Sequence, residues 1–352
     1  MKKRTIALLI VFTMVMTCFA ACGDKNKESG DKGNSKKLSI IATGFPEYDL
    51  ARAVVGDKAN LKMLLKPGAE SHSFEPSPED VINIQKSDVF IYGGGESDTW
   101  VKDILKSYKN EDQKILSLMK MVDPVEEETV DGMETEEEGH EGHHHDSDNH
   151  DDHDKDKNDG HDDHDSDKAE TEDEEEPEYD EHVWTSPENA IKIVNEIEKS
   201  VSKMDPKNKD YYKTNADKYI ASLKDLDGEF SKIVKEGKRN TLVFADRFPL
   251  RYFVEQYKLK YFAAFPGCSA QTEPSASTLA FLINKVKSEK IPVIFKIELS
   301  NGNIAKAVSD ATGAKVLTFN TCHNVTVDQF ENGTTYIDLM KKNLDVLKEA
   351  LN

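Results

Sequence analysis

A long segment of low complexity divides the chain and limits how much of it can form a packed core. Residues 123–181 hold thirty acidic residues against three lysines, a net charge of −27, whereas the whole chain carries −21. Apolar residues are too rare there to offset the entropy of ordering the backbone, so we expect residues 124–180 to be disordered. About 255 residues remain outside this segment and the N-terminal leader, enough for two lobes of ordinary domain size.

Short apolar runs alternate with helical patterns on both sides of this segment. Such runs, bounded by turn residues, are typical of strands that are buried on both faces of a parallel sheet. The expected strands lie at residues 38–42, 61–65, 89–92 and 114–118, and again at 241–245, 261–264, 292–297 and 315–319. The sequence therefore predicts an α/β fold of two lobes, each with a mostly parallel sheet flanked by helices.

The longest periodic segment separates the two sets of strands. Between Pro206 and Glu236, apolar residues recur at steps of three and four, which predicts one long helix with a single buried face. A helix of this length would extend about 45 Å and could span both lobes. The expected domains are a first lobe at 38–205 with the insertion at 124–180, a linking helix at 206–237, and a second lobe at 238–352.

The N-terminus has the pattern of an export signal. A basic start (KKR at residues 2–4) precedes a short apolar run, which predicts a signal peptide at 1–21. The sequence FAACG at residues 19–23 resembles a bacterial lipobox and implies that Cys22 is lipidated, with ordinary secretion and a free Cys22 as the alternative. Residues 22–37 then form a flexible tether. We expect the protein on the extracytoplasmic face of a bacterial cell membrane, held by its lipid anchor.

Two cysteines would remain after export and lipidation, Cys268 and Cys322. An even pair in an exported protein favours a disulfide between them. Such a bridge would fix the loop that carries Cys322 and its neighbour His323. The second interpretation is that both cysteines are inert buried thiols, and the third is that they are thiolate ligands of a metal ion.

Three of the eleven histidines fall in the parts of the chain that we expect to fold: His72, His182 and His323. Each lies in a predicted loop, and His72 and His323 closely follow a predicted strand. Loops beyond the carboxyl ends of parallel strands face the ligand crevice, and three imidazoles with one oxygen are a common tetrahedral set for zinc. The alternative for any single one is a hydrogen-bonded surface or core histidine.

The other eight histidines lie within the acidic segment: His140, His143, His144, His145, His150, His153, His161 and His164. A charge run is usually only a solvated face or tail. Imidazoles that recur among carboxylates favour weak, multiple metal binding over an inert linker, because carboxylates attract cations and imidazoles bind them. We expect this segment to collect zinc without being part of the tight site.

Several local sequences resemble those of zinc and manganese ABC-transporter substrate-binding proteins, and in particular the zinc-specific branch. Residues 67–78 (PGAESHSFEPSP) resemble the first metal-ligand motif, and residues 182–190 (HVWTSPENA) resemble the second. Residues 264–276 and 336–344 also match. The resemblance implies two α/β lobes joined by a long rigid helix, a metal ion in the cleft between them, and an ABC-type permease as partner.

The resemblance fails at one ligand position. The family usually carries a third histidine just after the first strand of the second lobe, where this chain has VFADRFP at residues 243–249. We expect His323 to supply the missing imidazole from another loop, and a water or a carboxylate to complete the shell. Asp246 is the first candidate and Glu298 the second. Asp246 could instead pair with Arg247, and Glu298 could pair with a lysine or hold a backbone amide.

The sequence thus predicts a monomeric, zinc-binding component of an ABC-type importer rather than an enzyme. A manganese- or iron-binding protein of the same transport class is the first alternative, although cleft histidines favour zinc. A surface metal-dependent hydrolase is the second, but no HExxH motif supports it. A nucleic-acid partner is not expected, because no basic stripe or aromatic platform is visible.

Overall fold

The computed structural model describes residues 36–71, 73–134, 178–269, 271 and 273–352. Several predictions fall outside these residues and stay predictions: the signal peptide, Cys22, His72, and the histidines of the acidic segment, which are His140, His143, His144, His145, His150, His153, His161 and His164. Within the described part of the chain, none of the helices is both long and apolar enough to cross a bilayer.

Four parallel strands form the sheet of the first lobe. They are β1 (Leu38–Ala42), β2 (Ala59–Met63), β3 (Val89–Tyr92) and β4 (Lys114–Ser117), in the order β2-β1-β3-β4, and they are connected by α1 (Phe45–Val55), α2 (Pro78–Lys86) and α3 (Thr99–Ser107). Val89 and Ile91 enter one apolar core, whereas Phe90 enters another. Because side chains alternate across a strand, both faces of this sheet are covered, as the apolar runs predict.

Two helices follow the first sheet. The first, α4 (Pro187–Met204), begins at Ser186, whose Oγ accepts a hydrogen bond from the amide of Asn189. A 3-10 turn at Pro206–Asn208 then leads into α5 (Lys209–Glu236). The long helix expected between the two sets of strands is therefore confirmed.

The second lobe repeats the parallel arrangement. Its strands are β5 (Thr241–Phe248), β6 (Lys260–Pro266), β7 (Val293–Ile297) and β8 (Lys315–Phe319), in the order β6-β5-β7-β8, and its helices are α6 (Arg251–Tyr257), α7 (Ala276–Glu289), α8 (Asn303–Thr312), α9 (Val327–Glu331) and α10 (Tyr336–Leu351). β5 extends beyond the expected residue 245, and its register with β6 shifts between Phe244 and Arg247. The predicted α/β fold with two mostly parallel sheets is confirmed.

The long helix α5 packs against both lobes. It contacts α1 and α4, which follow strands of the first sheet, and α10 of the second lobe. Its apolar stripe is buried, with Tyr212, Leu223 and Phe230 fully inaccessible to solvent. Each such side chain contributes about 1.5–3 kcal/mol of burial free energy. One continuous apolar core includes residues of both lobes, so α5 joins them as a rigid element.

The ends of the acidic insertion are packed, which corrects the expectation of disorder from residue 124 to residue 180. Glu126 and Tyr179 form an isolated antiparallel bridge. The amide of Glu134 donates to the carbonyl of Ala264 in β6 at 2.9 Å, and Met133 is buried. Apolar side chains and backbone hydrogen bonds to the second lobe hold residues 124–134 and 178–180 in place, and composition did not show this.

The carboxyl ends of the strands border a cleft. Thr43 follows β1, Gly93 follows β3 and His323 lies in the loop after β8, and all three line one cavity of about 40 Å³. Glu181 and Trp184, just before α4, line it as well. This is the edge at which parallel α/β sheets place their ligands.

Candidate metal centre

His182 is fully buried in a turn that the local sequence fixes. Its backbone amide donates to Asp180 Oδ1 at 2.8 Å, and its ring Nδ1 lies 3.2 Å from the same oxygen. The hydroxyl of Thr185 donates to the His182 carbonyl at 2.8 Å. A carboxylate at Nδ1 is the usual second contact of a metal-ligating histidine, because it orients the ring and favours coordination through Nε2.

The surroundings of His182 are strongly acidic. Burial lowers the pKa of His182, but the carboxylates of Asp180, Glu181 and Glu127 together outweigh burial, so the pKa is raised. The imidazole therefore lies in a negative field that favours a cation beside it.

His323 is held by a buried carboxylate. Glu298 accepts hydrogen bonds from the amide of Thr321 at 2.7 Å, the hydroxyl of Thr321 at 2.7 Å, and the amide of His323 at 2.9 Å. Burial raises the pKa of Glu298 in spite of these hydrogen bonds. Both of its oxygens are engaged with the loop, so Glu298 holds a backbone amide, which was the alternative to its expected role as a ligand.

The loop of His323 is also tied to the first lobe. The side-chain amide of Asn324 donates to the carbonyls of Lys66 and Ala69 at 3.0 and 2.8 Å. Ser71 Oγ lies 3.0 Å from His323 Nε2. Ser71 immediately precedes His72, so the loop that carries the first motif reaches the same imidazole.

The structure brings His182 and His323 together. Their ring centroids are 4.9 Å apart and their planes are nearly perpendicular, at 86°. The ring of Trp184 lies 5.5 Å from His182 and 5.2 Å from His323. The two imidazoles, far apart along the chain, therefore lie side by side at the cleft between the lobes.

Cys268 and Glu181 join His182 in a second arrangement of possible ligands. One donor atom from each lies within 4.8 Å of the other two. Burial, together with the charges of Glu181, Glu127 and Asp180, raises the pKa of the Cys268 thiol. The thiol is therefore neutral until a cation compensates these carboxylates.

The predicted disulfide between Cys268 and Cys322 is not formed, and both residues are free thiols. Cys268 faces Glu181 and its acidic neighbours, whereas buried Cys322 faces Glu298 and Asp49. The two thiols thus point into different charged surroundings. The disulfide was inferred only from the even number of cysteines, which carries no information about these surroundings.

Asp246 serves the backbone of the second lobe. Its carboxylate accepts from the amide of Arg247 at 2.9 Å and from the amide of Ile297 at 3.3 Å. The Arg247 guanidinium pairs instead with Glu70 of the first lobe, at 3.2 Å. Asp246 thus holds β5 to β7, and it does not join the group formed by Glu181, His182 and Cys268.

A set of carboxyl groups in the cleft was not predicted from the sequence. Glu47 and Asp98 line the cavity with Glu181. The amide of Gly44 donates to Glu47 and that of Gly94 donates to Asp98. The only sequence signal was the glycine run at residues 93–95, which allows the backbone to approach these side chains closely.

Comparison with known proteins gives one family over nearly the whole described chain. The family model described as ZnuA, zinc-uptake complex component A, periplasmic, matches residues 40–350. The high-affinity zinc uptake system protein ZnuA of Bacillus subtilis is 32% identical over 341 residues, which are 96% of each chain. The zinc-binding lipoprotein AdcA of Streptococcus pneumoniae is 30% identical, and the match covers 99% of this chain but 61% of AdcA.

Solved structures agree with this comparison. The Zn(II)-bound ZnuA-like domain of Streptococcus pneumoniae AdcA has a TM-score of 0.67 at 28% identity, over 90% of this chain and 99% of that domain. The metal-dependent lipoprotein YcdH of Bacillus subtilis has a TM-score of 0.68 at 29% identity, with the same coverage. The two-sheet fold and its linking helix are shared with these structures.

Proposed function

The chain belongs to the ZnuA family of zinc-uptake components, and on that premise we propose that it captures Zn²⁺ outside the cytoplasmic membrane and delivers it to the permease of an ABC-type importer. The ion is cargo and leaves chemically unchanged. Capture and release require ligands that close around the ion, and they require no catalytic group.

The observation that carries this proposal is the meeting of His182 and His323 in one cleft, with ring centroids 4.9 Å apart. Asp180 orients the first ring from behind, and Glu298 holds the backbone of the second. His72 is proposed as a third ligand, because Ser71, its neighbour in the chain, contacts His323. Such outer contacts fix imidazoles for a metal before the metal arrives.

The kind of donor favours zinc over manganese or iron. Imidazole nitrogen and thiol sulfur are borderline and soft ligands that suit Zn²⁺, whereas manganese prefers oxygen donors. His182 and His323 supply nitrogen at the cleft, and the thiol of Cys268 lies close to His182. Glu298, which would be a further oxygen donor, is engaged with Thr321 and His323 backbone groups.

The cavity that His323 lines has a volume of about 40 Å³, which accommodates an ion. We propose a carrier rather than an enzyme, as membership of the zinc-uptake family supports. The remaining parts of the proposal are a lipid anchor at Cys22, a monomeric state, and a histidine-rich segment that gathers zinc near the cleft.

Metal analysis and competition titration with a chelator test the proposed site. Wild-type protein is expected to hold one tightly bound zinc ion, and His182→Ala and His323→Ala should each weaken that binding by about a hundredfold or more, because a zinc site loses one of its few ligands. His161→Ala is the matched control, since it removes an imidazole from the acidic segment. Equal affinity in His182→Ala, His323→Ala and wild type would overturn the site.

A further inference from the structure

The loop after β6 brings a thiol to the buried end of the cleft. Cys268 Sγ, a carboxylate oxygen of Glu181 and a ring nitrogen of His182 lie within 4.8 Å of one another. Donor atoms around a tetrahedral zinc ion are separated by about 3.3–3.8 Å, given bond lengths of about 2.0–2.3 Å. A movement of about 1 Å would therefore bring these atoms into a coordination sphere.

Close packing holds the thiol beside the imidazole. Gly267 lies directly against the ring, since a Cβ at this position would be 3.0 Å from His182 Cε1 and 3.2 Å from the Phe248 carbonyl. The amide of Gly267 donates to Glu127 at 3.2 Å. The next residue, Cys268, is thus held next to His182 by a close backbone contact of Gly267 with the ring.

Glu181 is less suited than Cys268 to be the ligand. Its carboxylate accepts hydrogen bonds from both the amide and the hydroxyl of Ser97, which hold it to the first lobe. The charges that act most strongly on Cys268 are carboxylates, those of Glu181, Glu127 and Asp180. A divalent cation at the sulfur would neutralise this group of charges, and zinc deprotonates a thiol that coordinates it.

The position of Cys268, in the loop that follows β6, explains how it can take the place of an imidazole. The resemblance places a third histidine just after the first strand of the second lobe, where this chain has VFADRFP at residues 243–249 and no histidine. β6 is the strand next to β5. Because the two strands are parallel, their carboxyl ends meet at the same edge, and the loop after β6 reaches the cleft beside β5.

We propose that the Cys268 thiolate is a direct ligand of the captured zinc ion, beside His182. The ion binds to sulfur and the thiol proton passes to solvent, so no oxidant or reductant is needed. This inference rests on the proposed function, and it adds a thiolate to the imidazoles proposed there.

Cobalt substitution tests the thiolate directly. Co²⁺ is added to metal-free wild-type protein and to Cys268→Ala, Cys268→His and Cys322→Ala. A sulfur-to-cobalt charge-transfer band in the near ultraviolet is expected in wild type and in Cys322→Ala, and it should be absent from both Cys268 variants. Zinc affinity should fall about a hundredfold in Cys268→Ala and recover largely in Cys268→His, because histidine supplies another nitrogen donor.

The outcomes separate this inference from the proposed function. Stoichiometric cobalt binding by wild type without a sulfur band would overturn the role of Cys268 and leave the carrier function intact. A sulfur-to-cobalt band that persists in Cys268→Ala would also overturn the role of Cys268 as a ligand. Failure of wild type to bind zinc or cobalt at all would overturn both. Far-ultraviolet circular dichroism of each metal-free variant checks that a lost signal does not come from a lost fold.

Discussion

Buried carboxyl groups beside the cleft have unusual protonation. Burial, with Asp98 nearby, raises the pKa of Glu47 to about 8. Burial likewise raises the pKa of Asp98 to about 7, and burial together with Asp180 raises that of Glu127 to about 7. Protons on these groups reduce repulsion among carboxyls in the metal-free protein. A cation that enters the cleft would favour the ionised carboxylates, so metal capture should be accompanied by the release of these protons.

The metal-free protein should lose stability as the pH rises from 5 to 8. In the unfolded chain Glu47 ionises near 4.5, but in the fold it stays protonated until about 8. The unfolded state therefore binds fewer protons across this range, and unfolding becomes easier at higher pH. Each pKa unit corresponds to about 1.4 kcal/mol, so the loss is on the order of several kcal/mol. Urea unfolding at intervals of one pH unit measures it.

Glu47→Gln should make this pH dependence shallower, because glutamine cannot ionise, while Asp98 and Glu127 keep their own contributions. Glu229→Gln, at an exposed position on α5, is the matched control and should keep the wild-type slope. The same steep slope in Glu47→Gln as in wild type would show that Glu47 is already ionised in the fold at neutral pH.

The sequence predicted the two described imidazoles of the site better than its acids and thiols. His182 and His323 were candidates because each falls in a predicted loop, and loops beyond the carboxyl ends of parallel strands face the ligand crevice. Asp246 and Glu298 could not be assigned, because whether a carboxylate binds a metal or a backbone amide depends on tertiary neighbours. Cys268 was assigned to a disulfide by counting, and only the packing of its loop against His182 places it at the cleft.

At the scale of elements, the long helix α5 contains a glycine that nothing in the fold requires. Gly228 is exposed, and a Cβ at this position meets no atom within 4 Å. Glycine in a helix interior costs about 0.5–1 kcal/mol relative to alanine, because the unfolded chain is more flexible. We expect Gly228→Ala to raise the free energy of unfolding by about that amount, measured by urea titration, with zinc affinity unchanged.

Gly95→Ala provides the opposite case. Gly95 has φ of 77°, and a Cβ at this position would lie 2.5 Å from a Glu181 carboxylate oxygen. Alanine there should destabilise the fold and displace Glu181 from the cleft. If Gly228→Ala destabilised the protein as much as Gly95→Ala, the account of α5 as an uninterrupted, well-packed helix would be wrong.

The elements themselves were largely predictable. The apolar runs gave all eight strands, and the spacing of Tyr212 and Phe230 gave the long helix. Helices α4 and α9 had no expected counterpart, and two further features were missed: the extension of β5 to Phe248 and the packing of residues 124–134. Both depend on contacts with distant strands, as in the hydrogen bond from Glu134 to Ala264. Local composition carries no information about such partners. The acidic composition therefore predicted disorder for residues 124–134, which are in fact packed.

At the scale of the whole binding unit, the two lobes are connected on both sides of the cleft. Helix α5 and a continuous apolar core join them at the back. At the front, Asn324 bonds to Lys66 and Ala69, and Arg247 pairs with Glu70. A wide hinge movement would break this buried core. The geometry therefore favours metal entry through movement of the loops that carry the ligands.

The histidine-rich segment should add capacity and leave the tight site unchanged. All eight of its histidines lie within residues 135–177, and its ordered borders, residues 124–134 and 178–180, pack on the second lobe and include Asp180, which orients His182. Replacement of residues 135–177 by a short Gly/Ser linker should therefore keep one tightly bound zinc ion and remove the weaker ones. Zinc titration by calorimetry counts both classes.

A second variant separates the contribution of the imidazoles to zinc binding from the contribution of the negative charge within that segment. It keeps every Asp and Glu of residues 135–177 and replaces the eight histidines with glutamine. Carboxylates attract cations at long range but bind zinc weakly, whereas imidazoles supply the donor that zinc prefers. The glutamine variant should therefore lose the weaker zinc ions as the linker variant does. Loss of the tightly bound zinc ion in either variant would show that the segment belongs to the tight site. If the glutamine variant kept the weaker zinc ions, the carboxylates of the segment would be sufficient to collect zinc.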